Sequence, residues 1–139
     1  MGSNYGTVLN CTVSGSINAI LEMDHILDCG GIAGDNMGTI SGCTFEGYVA
    51  GSAVGGIAGA NSGTVLDCHN LTGRVSTGSI VKYSGGIIGY IYTNTSNYSN
   101  VVVTGNTFSK TVSGQQWGIG NDPRQTPVGP NNNGATPIQ

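Results

Sequence analysis

Apolar positions along this chain return in a fixed order, separated by glycine-rich turns. Gly30-Gly31-Ile32-Ala33-Gly34 recurs as Gly55-Gly56-Ile57-Ala58-Gly59 and as Gly85-Gly86-Ile87-Ile88-Gly89. A worn copy reads Trp117-Gly118-Ile119-Gly120. Starts at 30, 55, 85 and 117 give intervals of 25, 30 and 32 residues. A second phrase, Asn-x-Gly-Thr-Val/Ile, begins at Asn4, Asn36 and Asn61, and a cysteine follows each time: Cys11, Cys43, Cys68. Repeats of this length predict a stacked array of like units. Each unit reads as short strands joined by turns, because Asn and Gly both accept positive φ. Gly-Gly-Ile-x-Gly reads as a thin strand that lets neighbouring chain approach closely. No segment is long enough to bury a face alone. Stacking pairs each strand in parallel with its copy, about 4.8 Å away. The predicted fold is all-β: a short parallel β-solenoid of about four coils over residues 1–121.

The pattern assigns inward positions in columns. They are Ile32, Ile57, Ile87 and Ile119; Val8, Ile40, Val65 and Val103; Cys11, Cys43, Cys68 and Asn106; Val13, Phe45, Leu71 and Phe108; and Ile17, Val49, Val75 and Val112. The third unit needs one extra residue between Cys68 and Gly73, which reads as a β-bulge. Gly31, Gly34, Gly38, Gly56, Gly59, Gly63, Gly86 and Gly89, with Asn36 and Asn61, read as structural turn and close-approach positions. Segments 18–29, 76–84 and 90–100 vary in length and read as corner loops, where arrays of this kind carry binding surfaces. Residues 122–139, with Pro123, Pro127, Pro130, Pro137 and Asn131-Asn132-Asn133, read as a flexible tail or linker.

Composition narrows the function classes. The 25 glycines are far above the roughly 7% background, and charged residues are 8% against about 25%. Mean hydropathy is +0.01, so there is apolar surface to bury and disorder is disfavoured. The net charge is −3, with Arg74, Lys82, Lys110 and Arg124 scattered. That excludes a basic nucleic-acid surface. No apolar run reaches the roughly 18 residues of a membrane span. Met1-Gly2-Ser3 leads directly into the repeat, with no targeting segment read before it.

Residues 30–49, from Gly-Gly-Ile-Ala-Gly-Asp-Asn-Met-Gly-Thr-Ile to Gly-Tyr-Val, resemble the GLUG repeat. This is a glycine-rich motif of large bacterial adhesins and of non-catalytic regions of IgA-specific peptidases. The match is close over 30–89 and fainter over 4–17 and 101–121. The resemblance implies a module at the cell surface or outside the cell, with no catalytic residues and no cofactor. Cysteine stands here where the family has a small polar residue, and the fourth copy lacks Asn-x-Gly-Thr.

Candidate chemistry is sparse. The cysteine intervals of 18, 14 and 25 residues do not suit zinc. Stacked thiols, with Cys29 alone before Gly30, read as small apolar fillers, free and buried. His69 follows Cys68 on a strand and reads as outward, where Thr12, Thr44 and Thr107 stand in other copies. Glu22, Asp24, His25 and Asp28 read as the solvated side of a loop. Seven acids and four bases are too few for the charged clusters a polysaccharide-cleaving β-helix needs. The short Thr7, Thr39 and Thr64 ladder raises ice binding as another alternative, which uneven loops disfavour. Tyr83, Tyr90, Tyr92 and Tyr98 are the candidate ligand-binding residues, because aromatic rings beside Asn and Thr stack on sugars. The partner is then a host glycan or protein. The chain opens on the second part of a unit and leaves the pattern on the first part of one, so end-to-end joining of copies into a fibre is a further alternative.

Overall fold

A computed structural model describes residues 1–19, 27–77, 83–92 and 98–138, except for the side chain of Tyr98. The chain is mostly β-strand, with parallel strands stacked in several sheets. The first rung holds β1 (Ser3–Asn4), β2 (Thr7–Leu9), β3 (Thr12–Val13) and β4 (Ser16–Asn18). The second holds β5 (Asp28–Gly30), β6 (Ala33–Asn36), β7 (Thr39–Ser41), β8 (Thr44–Phe45) and β9 (Tyr48–Gly51). The third repeats it as β10 (Ala53–Gly55), β11 (Ala58–Asn61), β12 (Thr64–Leu66), β13 (His69–Asn70) and β14 (Arg74–Thr77). The fourth has β15 (Tyr83–Gly85), β16 (Ile88–Ile91), β17 (Val102–Thr104) and β18 (Asn106–Ser109), then a four-residue helix α1 (Lys110–Ser113). The chain finishes with β19 (Ile119–Asp122), β20 (Gly129–Asn131) and β21 (Ala135–Ile138). Like strands pair with like. One sheet runs β1-β6-β11-β16-β19-β20, and the others are β15-β10-β5, β17-β12-β7-β2, β21-β18-β13-β8-β3 and β14-β9-β4.

Register follows the predicted columns over most of the stack. Val8, Ile40, Val65 and Val103 pair in sequence, as do Ile17, Val49 and Val75. Ile32, Ile57 and Ile87 are buried and take equivalent places, since Ile32 N–H donates to Ile57 O and Ile57 N–H to Ile87 O. Phe45 and Phe108 are fully buried, each contributing on the order of 2–3 kcal/mol. The second glycine of each Gly-Gly pair faces this column. A Cβ on Gly31 would strike the Phe45 ring, one on Gly56 the Asn70 amide, and one on Gly86 the Phe108 ring. Gly34, Gly59 and Gly89 lie against backbone of the β5-β10-β15 sheet, so the two sheets approach closely.

Asn36 and Asn61 do more than turn the chain. Their side chains are buried and form a ladder with Asn4: Asn4 Nδ2 donates to Asn36 Oδ1 at 2.8 Å, and Asn36 Nδ2 donates to Asn61 Oδ1 at 2.7 Å. Before each cysteine-column residue the backbone turns left-handed, at Asn10, Gly42, Asp67 and Gly105. The Asn10 carboxamide covers Gly42, and the Asp67 carboxylate covers Gly105. The alternation leaves each Asx side chain a neighbour with no Cβ in its way.

Several expectations are corrected. Gly-Gly-Ile-x-Gly is a strand end, a bend at 31–32 and the start of the next strand, because close packing of two sheets requires the chain to fold back there. Asn70 pairs with Phe108 and takes the inward place expected for Leu71, which is exposed. The extra residue of the third unit lies in the bend at 71–72 after β13, so it is no bulge within a strand. Val112 leaves its column, because the chain turns into α1, capped by Ser109 Oγ on Val112 N–H. Ile119 pairs with Ile88, one place beyond the Ile87 column. Gly118 stands opposite Ile87, its carbonyl accepting Ile87 N–H at 3.0 Å, and the third interval is 31 residues, 88 to 119. The expected boundary after Asn121 falls inside β19. The Pro/Asn-rich segment is built into the stack: β20 pairs antiparallel with β19, and β21 adds a parallel strand to β18. Asp122 anchors it, fully buried and held by Arg124 at 2.8 Å. β20 is the last strand of its sheet and β21 the last of another.

Candidate functional site

The repeat places two positions of each unit side by side. One is two residues before the second strand turn: Asp28, Ala53 and Tyr83 are in register. The other follows the last glycine of the phrase: Asp35, Ala60 and Tyr90 are in register. The second rung thus carries an aspartate pair, the third an alanine pair and the fourth a tyrosine pair. Ala53 and Ala60 are completely buried or nearly so. Over this low step the Tyr90 hydroxyl reaches back two rungs and donates to Asp28 Oδ2 at 3.3 Å. Tyr83 and Tyr90 rings lie 5.2 Å apart and tilted by 37°. Tyr92 meets Tyr90 edge-on at 6.2 Å and is 63% exposed. Such pairs are worth about 0.5–1.5 kcal/mol beyond the area they bury.

The carboxylates are not satisfied. Asp28 Oδ1 and Asp35 Oδ1 are buried atoms with no hydrogen-bond partner among the described residues. Burial pushes the Asp28 carboxyl above its ordinary range; the Tyr90 bond opposes this and the Asp35 charge adds to it. Burial likewise raises Asp35. Tyr90 is raised by burial and then by the adjacent Asp28 carboxylate. Each shift disfavours negative charge in a place that already holds two acids.

Tyr83, Tyr90 and Tyr92 thus lie together. Tyr98 opens a 3-10 turn (Tyr98–Asn100), and its side chain lies outside the described residues. So do Glu22, Asp24 and His25. Asp28 belongs to the cluster and is half-buried, so it is no solvated loop side chain. Asp35 was not singled out from sequence. The signal was present, since it occupies the repeat position of Tyr90.

The thiols form no site. All four are free; Cys29, Cys43 and Cys68 are buried, and Cys11, on the first described rung, is exposed. Cys43 Sγ accepts Cys11 N–H at 3.4 Å, and Asn106 Oδ1 does the same for Cys68 N–H at 2.8 Å. Burial pushes the Cys68 thiol to about 11, which keeps it protonated and inert. No group of metal-ligating side chains occurs among the described residues. His69 stands in register with Thr44 and Thr107, its Nδ1 2.7 Å from Thr107 Oγ1, and the same line of pairs runs from Thr12 to Thr136. Thr7, Thr39 and Thr64 also align. No helix among the described residues is long and apolar enough to cross a membrane.

Fold and site together define a mostly β protein of stacked parallel strands with a tyrosine–aspartate cluster at one repeat position. No protein-family model matches the chain, and no curated protein or solved structure matches it either.

Proposed function

We propose that this chain is a non-enzymatic repeat module of a bacterial surface protein, built as a short parallel β-solenoid of about four coils. Its role in this reading is adhesive: Tyr83, Tyr90 and Tyr92 hold a host glycan or protein outside the cell. The observation that carries the reading is the convergence of three tyrosines and two carboxylates, each with one buried oxygen unpaired among the described residues, from different rungs onto one place. A pure spacer gains nothing from a buried oxygen left without a donor, which costs about 1–3 kcal/mol. The resemblance of residues 30–89 to GLUG repeats supports the surface setting, and the successive parallel pairings support the solenoid.

A glycan array probed with the labelled chain tests adhesion. Retention on a defined set of glycans is expected, with loss in Tyr83→Ala and Tyr92→Ala. A chain that binds no glycan on the array and captures no protein from host-cell surfaces, or variants that bind as well as the parent, would overturn the reading.

A further inference from the structure

We infer that the Tyr83–Tyr90–Tyr92 cluster, with Asp28 and Asp35 beside it, is a site for an organic ammonium group such as a choline or alkylated-amine headgroup. The inference rests on the adhesive reading and gives that ligand its charge.

The argument starts from what the site lacks. Two carboxylates lie close enough for the Asp35 charge to act on Asp28, and each keeps a buried oxygen with no donor. Among the described residues the salt bridge present is Arg124 with Asp122, at the far end of the stack, so no described cation answers these acids. A buried anion is tolerated only when paired. A neutral sugar would supply hydroxyl donors and leave the charge uncompensated. A cation supplies both attraction and relief from the burial penalty.

The lining then decides which cation. Calcium takes about 6–8 oxygen ligands and magnesium a near-octahedral oxygen shell. Here there are two carboxylates and phenol rings, and no described group of three metal-ligating side chains. Rings suit a cation that is large, weakly hydrated and sheathed in methyl or methylene groups. Tilted and edge-on tyrosines 5.2 Å and 6.2 Å apart present electron-rich surface from more than one direction. A quaternary ammonium group is attracted to an aromatic face when it lies within about 6 Å of the ring centroid, and the outer face of Tyr92 is open to solvent. Tyr92, the most exposed of the three, is the outer wall. The alanine pair in the intervening rung keeps the floor low, so Tyr90 reaches across it to Asp28.

The experiment is a titration of the full chain with choline chloride in a sodium buffer, read by tyrosine fluorescence and by NMR shifts of the tyrosine ring protons. The neutral isostere 3,3-dimethylbutanol and calcium chloride are parallel arms. Saturable shifts at the three tyrosines with choline are expected. Affinity should fall by about tenfold or more, equivalent to about 1.4 kcal/mol, for the neutral isostere and for the Asp28→Asn/Asp35→Asn chain. Calcium at equal ionic strength should not displace choline. The asparagine variant keeps side-chain shape, and its circular dichroism controls for folding. Equal binding of the isostere, undiminished binding by the asparagine variant, displacement by calcium, or no saturable shift each overturns the inference. A positive glycan array with no choline response overturns this inference alone and leaves the adhesive reading standing. Failure of both the array and host-protein capture, with a choline response, overturns the adhesive reading and leaves the ammonium site standing.

Discussion

Two sets of polar side chains run along the stack, and they are treated in opposite ways. In the Asn4–Asn36–Asn61 column each amide is buried and meets the next: Asn36 accepts from Asn4 and donates to Asn61, and Asn61 Nδ2 donates to Gly63 O at 3.1 Å. In the Asp28 and Asp35 columns the acids face alanines and tyrosines, and one oxygen of each has no described partner. Asparagine carries donor and acceptor on one group, so a stack of asparagines satisfies itself at every rung. Aspartate offers only acceptors and cannot. The repeat places self-satisfying asparagine inward at Asn36. The first column is scaffolding; in the second, at Asp28 and Asp35, each half-buried acid keeps one oxygen that no described residue pairs.

The sharpest way to break this comparison is to make the satisfied column resemble the unsatisfied one. Asn36 Nδ2 donates to Asn61 Oδ1, Thr64 O at 3.0 Å and Gly38 O at 3.4 Å. In Asn36→Asp an oxygen faces those three acceptors and brings a buried charge. A loss of about 3–5 kcal/mol is expected, against about 2–3 kcal/mol for Asn36→Ala, which orphans partners without adding charge. Urea unfolding at neutral pH measures both. Equal losses in the two variants would mean that donor and acceptor pairing is not what the ladder contributes.

The converse substitution should stabilise. The folded-state carboxyls of Asp28 and Asp35 titrate above the ordinary value of 3.8. The folded chain then holds those protons more tightly than the unfolded one, so stability falls as pH rises from 3.8 through the raised values and stays lower above them. Asp28→Asn and Asp35→Asn should therefore melt above the parent at neutral pH, with the gap closing below pH 3.8. Asp122 supplies the contrast. Burial pushes its carboxyl up, but hydrogen bonds from Arg124 and Asn131 outweigh that and hold it below 3.8. Its contribution is present above that value and is lost as pH falls through the depressed one. Calorimetry across this range separates the two signs. A lower melting temperature for the asparagine variants at neutral pH would show that the acids are satisfied after all.

Much of this was legible in the sequence where a side chain's place depends on its own repeat. The Val8–Ile40–Val65–Val103 column and the Thr12–Thr44–His69–Thr107 line pair as the phrases align them. Legibility fails where a neighbouring rung decides. Leu71 looked more apolar than Asn70, yet Asn70 turns inward because its Nδ2 finds Gly86 O at 2.8 Å in the next rung. Ile119 looked like Ile87, yet strand pairing sets it beside Ile88. The tail looked free because its prolines and asparagines signal turns, but Asn132 Oδ1 accepts Gly118 N–H at 2.8 Å and Ala135 is buried against the stack. For the site, Tyr83, Tyr90, Tyr92 and Tyr98 were visible as a group. Asp28 was read as a solvated side chain of the first insertion, and Asp35, just after the glycine phrase, was not singled out.

The smallest expected effect bears most directly on the site. Tyr90→Phe removes one hydroxyl and keeps the ring. Its bond to Asp28 is long, at 3.3 Å, and partly exposed, so a loss of about 0.5–1 kcal/mol is expected. The informative readout is Asp28 itself. The Tyr90 hydroxyl holds the Asp28 carboxyl down against burial, so its removal should let that carboxyl titrate higher still, visible in its carboxyl-carbon NMR shift. In an Asp28→Asn background the same tyrosine substitution should cost measurably less, because the charge that strengthens the bond is gone. An Asp28 titration that does not move on loss of the hydroxyl would show that the tyrosine and the acid are neighbours without being partners. The asparagine ladder, and not this cluster, would then be the polar network in which contact between rungs carries energy.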